Sequence, residues 1–341
     1  MTASSALAFD RRFSVAPMMD WTTRHCRAFH RVLSKGALLY TEMVTADALI
    51  HGDPKRLIGF NACEHPIALQ LGGSDPDKLA TATKIGTSFG YDEINLNVGC
   101  PSDRVQSGRF GACLMREPTL VAECMVAIRE ATSLPVTVKN RLGVDDQEPQ
   151  ESLFAFTETV AKSGIDVFIV HARKAWLKGL SPKDNREIPP LDYEIVRDLK
   201  RAYPHLTIIL NGGLTSLAQC ETEVVGLDGV MLGRAAYHDP ALLGQVDSQI
   251  LGLDCPIISP EDAFVAFRPY VDARLSEGVP LHAMTRHMLG LFMGRAGARL
   301  FRRALSEHTR EGAGIEIYDA ALNIIRDESE RAARYQERFV A

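Results

Sequence analysis

The chain has 341 residues, 46% of them hydrophobic and 24% charged, which is the composition of an ordinary globular protein. Its length fits a barrel of about 250 residues followed by a smaller unit, and no run of about 18 apolar residues is present to cross a membrane. The formal net charge of -5 argues against bulk attraction to nucleic acid, so a nucleic-acid site would need a local cluster of arginine and lysine.

Seven cysteines are scattered along the chain without a CxxC pair and without metal-ligand spacing to histidine. Neither a disulfide framework nor a metal site is therefore predicted. At the N-terminus a short apolar piece at 6–9 precedes the basic pair Arg11 and Arg12, which reverses the order found in an export signal. We expect a cytoplasmic monomer without a bound metal.

Eight short β-rich runs recur along the first part of the chain, and helical patterns separate them. The runs lie at 13–16, 37–40, 66–71, 93–96, 136–138, 167–170, 207–210 and 229–232. Amphipathic segments lie between them at 77–89, 119–131, 152–163 and 193–202. This alternation is typical of parallel strands with crossover helices, and eight such units close a barrel. We therefore predict an α/β fold containing a (β/α)8 TIM barrel.

Polar residues and glycines stand at the ends of runs three to eight. They are Gln70, Asn95, Asn97, Cys100, Lys139, His171, Asn211, Gly212, Gly213, Gly233 and Arg234. In such a barrel the carboxyl ends of the strands face the active site, so these residues should converge on one pocket. Any one of these residues alone could equally well be a polar residue that caps its strand. Polar residues at the ends of six successive strands favour an active site.

From about residue 260 the β-rich runs stop. Segments 261–276, 282–293, 296–305 and 315–341 read as helices separated by glycine and proline. We predict a barrel domain at 1–250 and a smaller all-α helical-bundle domain at 251–341. The window 278–306 holds five arginines and no acidic residue, and on a continuous helix Arg295, Arg299 and Arg302 would share a face suited to phosphates. The alternative is a solvated charged face.

The glycines after the last two runs indicate a phosphate site. Gly212, Gly213 and Gly233 would let backbone N–H groups approach a phosphate, and Arg234 would add charge-assisted hydrogen bonds. Turns that merely require glycine are the alternative.

Lys139 at a central strand end needs an anionic partner, which a reduced flavin supplies, and Gln70 can bond the pyrimidine side of the same ring. His171 can add to contacts with the phosphate or the ring. FMN therefore fits better than a bare sugar phosphate, with a Schiff-base Lys139 as the alternative. Cys100 follows run four, where a thiol can act as a general acid or be an inert loop cysteine.

Taken together, five motifs resemble the tRNA-dihydrouridine synthases. They are APMMDWT at 16–22, LQLGG at 69–73, EINLNVGCP at 93–101, VTVK at 136–139 and NGG at 211–213. Two further stretches, 168–182 and 233–240, resemble the A-type subgroup of that family, which implies reduction of uridines 20 and 20a in the tRNA D-loop.

The resemblance implies FMN as cofactor, NADPH as reductant and Cys100 as the proton donor to C5 of the uracil. It implies FMN contacts at Pro17, Met18, Met19, Gln70, Lys139, His171, Asn211, Gly212, Gly213, Gly233 and Arg234. A uridine must leave its stack to reach the barrel, so other contacts must grip the RNA. We predict tRNA contacts at Asn97, Lys183, Arg186, Arg299 and Arg302.

Two positions depart from the subgroup pattern, which has histidine where this chain has Asn140 and aspartate where it has Thr23. Neither is among the residues assigned to chemistry. Two other functions stay open: an FMN-dependent dehydrogenase of free pyrimidines, which needs no arginine cluster, and a tRNA-binding module whose barrel catalyses nothing.

Overall fold

A computed structural model describes residues 9–102, 108–307 and 312–340, with side chains to residue 335. Of the N-terminal apolar piece at 6–9, only Phe9 lies within these ranges. The chain divides into two compact units. The barrel unit comprises 1–22 and 36–233, and the helical unit comprises 23–35 and 234–341.

This division differs from the boundary predicted near residue 250. Helix α1 (Arg24–Leu33) is counted with the helical unit, because its buried Phe29 packs edge-on against Phe267 with ring centroids 5.2 Å apart. At the end of α1, the Ser34 hydroxyl and the Lys35 amide donate to buried Asp247 at 2.5 and 2.6 Å. The helix follows a barrel strand in the chain, so its sequence position gave no sign of these partners.

The barrel is closed and parallel, and all eight predicted strands are confirmed within the described residues. They are β1 (Phe13–Val15), β2 (Leu38–Thr45), β3 (Ile67–Gly72), β4 (Glu93–Val98), β5 (Val136–Arg141), β6 (Val167–His171), β7 (Thr207–Asn211) and β8 (Gly229–Leu232). Strand β1 pairs with β8 and closes the sheet. Tyr40, Ile169, Ile209 and Met231 are among the side chains of a buried interior cluster.

Strands β4 and β5 run further than their apolar patterns. The ladder between them continues through Asn97 opposite Lys139 and Val98 opposite Asn140. Asn97 and Lys139, which the sequence placed just after these strands, therefore lie within them.

The helices of the barrel unit connect successive strands. They are α2 (Ala46–His51), α3 (Pro54–Ile58), α4 (Pro76–Ser88), α5 (Pro118–Glu130), α6 (Pro149–Ala161), α7 (Tyr193–Ala202) and α8 (Leu217–Glu223). Helix α4 shows why they begin where they do: Asp75 caps it by accepting from the Lys78 amide at 3.1 Å, and Pro76 occupies the first turn.

The helical unit continues through short and long helices. They are α9 (Arg234–His238), α10 (Val246–Gln249), α11 (Pro260–Ser276), α12 (Leu281–Thr285), α13 (Ala298–Glu307) and α14 (Ile315–Val340). Phe264 of α11 stacks on Tyr318 of α14 with centroids 3.9 Å apart. None of the described helices is long and apolar enough to cross a membrane.

The predicted helix at 282–293 is wrong beyond Thr285, and the next one begins at Ala298 rather than 296. Glycines explain the break: Gly294 and Gly297 both have φ of 80°, and a Cβ at Gly290 would collide with the carbonyl of His238. Turns therefore separate Arg295 from α13.

Candidate active site

A buried carboxylate anchors the polar interior of the barrel. Glu93, at the start of β4, forms an ion pair with Arg11 and accepts hydrogen bonds from the hydroxyls of Tyr40 and Thr137, both at 2.6 Å. Glu93, Tyr40 and Thr137 are fully buried, and burial first and then Glu93 raise the pKa of Tyr40. A carboxylate only accepts hydrogen bonds, so the Thr137 proton must point at Glu93.

This anchor fixes the direction of a chain of hydrogen bonds. With its proton committed, the Thr137 oxygen accepts from Asn95 Nδ2 at 2.8 Å. The Asn95 oxygen then accepts from Gln70 Nε2 at 2.8 Å, and the Gln70 oxygen accepts from Asn97 Nδ2 at 2.9 Å. Each amide can donate only through its nitrogen, so one carboxylate sets the orientation of all three amides.

The chain ends at the loop that carries Cys100. The Asn97 oxygen accepts the backbone N–H groups of Gly99 at 3.1 Å and Cys100 at 3.0 Å. Cys100 is half-buried, and its sulfur lies 3.5 Å from the hydroxyl of Ser102. Asn97 is 8% exposed and uses both ends of its amide in these bonds, so the structure shows it supporting the loop, and its predicted tRNA contact stays a prediction.

The other cysteines differ from Cys100 in their surroundings. Cys26, Cys124 and Cys220 are buried, and burial raises the pKa of Cys124 and of Cys220 to about 12. Cys63, in contrast, is exposed.

Basic side chains lie at the carboxyl ends of β5 and β6. Lys139 Nζ donates to the side-chain oxygen of Asn211 at 2.8 Å. Burial, followed by the nearby charge of Arg141, lowers the pKa of Lys139 to about 7, and Cys100 opposes this shift. Burial also lowers the pKa of His171 well below its usual value, helped by Arg141 and Lys139. His171 is therefore neutral, and its buried Nδ1 has no hydrogen-bond partner among the described residues.

The glycines after β7 take backbone shapes that other residues avoid. Gly212 and Gly213 have φ of 109° and 71°. A Cβ at Gly212 would stand 2.9 Å from the His171 ring, and one at Gly213 would meet Leu191. The Tyr193 hydroxyl holds the turn by donating to the Gly212 carbonyl at 2.7 Å. Here the turn needs glycine both for its backbone angle and for space.

The segment after β1 lies beside the loop that follows β8. A Cβ at Gly233 would lie 3.8 Å from the Cβ of Ala16 and 3.9 Å from the sulfur of Met18. Pro17 and Met18 are half-buried and Met19 is 56% exposed. Arg234 begins α9 and is counted with the helical unit, so its predicted part in the pocket stays a prediction.

The residues predicted to bind tRNA lie on exposed surfaces except for Asn97. Lys183 and Arg186 are exposed on the loop between β6 and α7. Arg299 and Arg302 are exposed on α13, three residues apart and so on one face. Arg295 does not extend that face, because it precedes the helix and pairs with Glu261 at 2.5 Å.

Sequence reasoning missed Arg141, which is buried and bonds three backbone carbonyls. Its Nε donates to Gly99, and its Nη1 donates to both Lys174 and Asn185, each at 2.9 Å. Burial lowers the pKa of Arg141 to about 10. The signal was its spacing, because Arg141 lies two residues beyond Lys139 on β5 and faces the same side of the strand.

The two departures from the subgroup pattern are at Asn140 and Thr23. Asn140 is buried on the opposite side of β5 from Lys139, since neighbouring residues of a strand face opposite sides. Thr23 caps α1 in the helical unit, and its hydroxyl lies 3.0 Å from Nε2 of His287.

Thr137→Val is expected to destabilise the barrel by about 1–3 kcal/mol, because it keeps the shape of the side chain and leaves the buried Asn95 amide unsatisfied. Thr137→Ser retains the hydroxyl and is expected to lose about 1 kcal/mol or less. Urea unfolding of the two variants measures this difference. Equal losses would show that the hydroxyl does not support the chain of amides.

Comparison with known proteins identifies the family. The model of the family described as dihydrouridine synthase matches residues 14–325. The tRNA-dihydrouridine(20/20a) synthase of Xanthomonas campestris is 56% identical over 330 residues, covering 96% of this chain and 98% of the relative. The enzyme of the same name from Vibrio cholerae is 56% identical over 313 residues, covering 91% and 95%.

Among solved structures, an old yellow enzyme homologue from Zymomonas mobilis matches with a TM-score of 0.51 at 10% identity, covering 74% of this chain and 92% of that one. This likeness concerns the fold alone. The family match and the close relatives over nearly the whole chain go further: the chain belongs to the dihydrouridine synthase family and is an oxidoreductase.

Proposed function

We propose that this chain is a tRNA-dihydrouridine(20/20a) synthase, which reduces the C5–C6 double bond of uridine in the tRNA D-loop with FMN as cofactor and NADPH as reductant. The relatives at 54–56% identity carry that name. The observation that carries the proposal is a half-buried thiol on a loop held by a buried hydrogen-bond chain, next to the strand that carries Lys139 opposite Asn97.

The residues present fit FMN. The charges that act on His171 are Lys139 and three arginines, so an anionic ligand is favoured there. The unpartnered His171 Nδ1 calls for a ligand, and the glycines at 212 and 213 have the positive-φ backbone of a turn whose N–H groups can approach a phosphate closely. We assign the ring to Gln70, Lys139 and residues 17–19, and the phosphate to His171, 211–213, Gly233 and Arg234.

When bound and reduced, FMN supplies the hydride that C6 of uracil accepts. The chain provides the proton for C5 from the Cys100 thiol, which Asn97 holds in place through the Gly99 and Cys100 amides. The neutral His171 can accept or donate one hydrogen bond without adding charge. The product base keeps its ring but is no longer aromatic.

We take tRNA as the substrate. Its uridine must be turned out of the stack to reach the barrel, at a cost of a few kcal/mol, and contacts to the rest of the RNA must offset that cost. We propose that the FMN contacts come from the barrel unit together with Arg234, and that both units contribute contacts to tRNA. Arg299 and Arg302 on α13 and Lys183 and Arg186 on the loop after β6 would grip phosphates. The proposed enzyme works in the cytoplasm as a monomer.

Mapping of dihydrouridine at single-nucleotide resolution in tRNA from a deletion strain tests the reaction and the positions together. We expect positions 20 and 20a to return to uridine, and re-expression of the gene to restore both. The purified protein is expected to be yellow. A colourless, folded protein, or unchanged dihydrouridine in the deletion strain, would contradict the proposal.

Arg299→Glu is expected to raise the KM for tRNA about tenfold and to make the dependence of log KM on log salt shallower by about one, because a phosphate contact is replaced by repulsion. Steady-state kinetics over a range of salt concentrations measure both. Arg331→Glu, the same charge change on an exposed residue of α14, is the control and should have a much smaller effect. Reduction of free uracil derivatives, undiminished by Arg299→Glu, would instead indicate a dehydrogenase of free pyrimidines.

A further inference from the structure

Trp176 lies on the loop between β6 and α7, and its side chain is 42% exposed. Single exposed apolar residues are common on proteins, so exposure by itself carries little meaning. Three features of the loop around Trp176 point to a binding role for this exposed side chain. The loop backbone is fixed by hydrogen bonds, the loop carries net positive charge, and Arg141 joins it to the Cys100 loop.

The backbone of Trp176 is fixed on both sides by one buried amide. Its N–H donates to the Asn185 oxygen at 2.7 Å, and its carbonyl accepts from Asn185 Nδ2 at 2.8 Å. The next residue, Leu177, donates its N–H to Asp145 at 2.7 Å, and the preceding Ala175 donates to the Gly143 carbonyl at 3.0 Å. A backbone held in this way is ordered before any ligand arrives, which lowers the entropy lost on binding.

Arg141 joins this loop to the proposed catalytic loop. Its guanidinium bonds the Gly99 carbonyl, next to Cys100, and the carbonyls of Lys174 and Asn185, which stand on either side of Trp176 in the chain. One side chain thus spans the gap between the two loops. The backbone of the Trp176 loop and the backbone of the Cys100 loop therefore lie within reach of one arginine side chain.

The charge around the indole suits a polyanion. The loop at 172–192 contains five basic and three acidic residues. The Lys174 ammonium lies 5.4 Å from the centroid of the Trp176 ring, while Lys178 and Lys183 are exposed and make no ion pair with the described residues. An aromatic surface flanked by exposed lysines is the arrangement that binds unstacked nucleotides.

We propose that Trp176 stacks on a base of the tRNA that adjoins the uridine being reduced, while Lys178 and Lys183 contact the flanking phosphates. This rests on the proposed function. Turning out the uridine removes a stacking partner from its neighbours, and the indole replaces that partner. The site recognises the face of a base and not its hydrogen-bonding edge, so it tolerates different neighbouring bases.

The fluorescence of Trp176 tests the contact without any turnover. The chain has two tryptophans, Trp21 and Trp176. We expect tRNA to quench the emission of the FMN-loaded wild type, with absorbance corrected against free tryptophan, and this quenching to disappear in Trp176→Phe, which retains only Trp21. Binding of labelled tRNA is measured in parallel by anisotropy.

Three substitutions separate stacking from apolar packing. Trp176→Phe keeps an aromatic face and is expected to hold the Kd for tRNA within about threefold, while Trp176→Leu and Trp176→Ala are expected to weaken it about tenfold or more. Val225→Ala, at an exposed apolar residue before the amino end of β8, is the control and should leave the Kd unchanged. Flavin absorbance and the Tm of each variant show whether the fold is intact.

The outcomes distinguish this inference from the proposed function. If tRNA binds and is reduced while Trp176→Leu binds as well as the wild type, or while the emission of Trp176 does not change, the stacking contact is refuted and the proposed function stands. If the wild type binds no tRNA, both are refuted.

Discussion

Cys100→Ala is expected to keep its flavin and to lower turnover on tRNA by at least about 100-fold, since a positioned general acid contributes roughly 10²–10⁴ in rate. The bonds that hold the loop come from the backbone amides of Gly99 and Cys100, which alanine retains. The variant therefore removes the proton donor without removing the loop. Rapid-mixing measurement of the oxidation of the NADPH-reduced flavin by tRNA isolates the affected step.

Cys63→Ala is the matched control, because Cys63 is an exposed cysteine of the same unit and should be dispensable. Reduction of the flavin by NADPH should proceed at the same rate in both variants and in the wild type. Unchanged flavin oxidation by tRNA in Cys100→Ala would remove Cys100 from the mechanism. Loss of flavin from that variant would instead assign the residue to cofactor binding.

The barrel could be predicted from the sequence because its signals are local. Each strand is a short apolar run that ends in turn residues, and the eight runs appear in the structure in the predicted order. The position of α1 could not be predicted in this way. Phe29 packs on Phe267, far along the chain, and no local pattern distinguishes that partner from a barrel strand.

The prediction that Arg295 shares a helical face with Arg299 and Arg302 was wrong for a different reason. A three- and four-residue spacing indicates one helical face only if the helix is continuous, and Gly294 and Gly297, both with positive φ, lie between the predicted helices. Arg295 consequently pairs with Glu261, while Arg299 and Arg302 stay on α13. The two glycines are visible in the sequence, but the φ angles that end the helix there are set by the folded structure.

The sequence indicates which polar residues stand at the strand ends. It does not indicate the hydrogen bonds that join them. Hydrogen bonds between neighbouring strands join Glu93, Thr137 and Asn95, and their direction follows from the single carboxylate. The apolar run at 93–96 marked a strand, and nothing in its pattern gave Glu93 a role. Which residues become partners depends on the register between neighbouring strands, and that register is set only when the sheet forms.

Lys139→Met is expected to weaken FMN binding by about 10- to 100-fold, the range for a charge-assisted hydrogen bond in a buried site. Titration of the apoprotein, followed by quenching of flavin fluorescence, measures this. Lys162→Met, on an exposed lysine that bonds Glu158, serves as the control and should bind FMN normally. Equal affinity of Lys139→Met and the wild type would remove Lys139 from the cofactor site.

The pH dependence of the same titration gives a sharper result, because the pKa of Lys139 is lowered to about 7. Below pH 7 the free enzyme already carries the charge that attracts the flavin, whereas above it binding must take up a proton. The affinity of the wild type should therefore fall as pH rises from 7 to 9, by as much as about tenfold per unit. The phosphate of FMN changes its charge little over this range, since a second pKa of about 6 leaves it roughly nine-tenths dianionic already at pH 7. Lys139→Met has no proton to gain and Lys139→Arg has none to lose, so both should give flat profiles, and a flat wild-type profile would contradict the assignment.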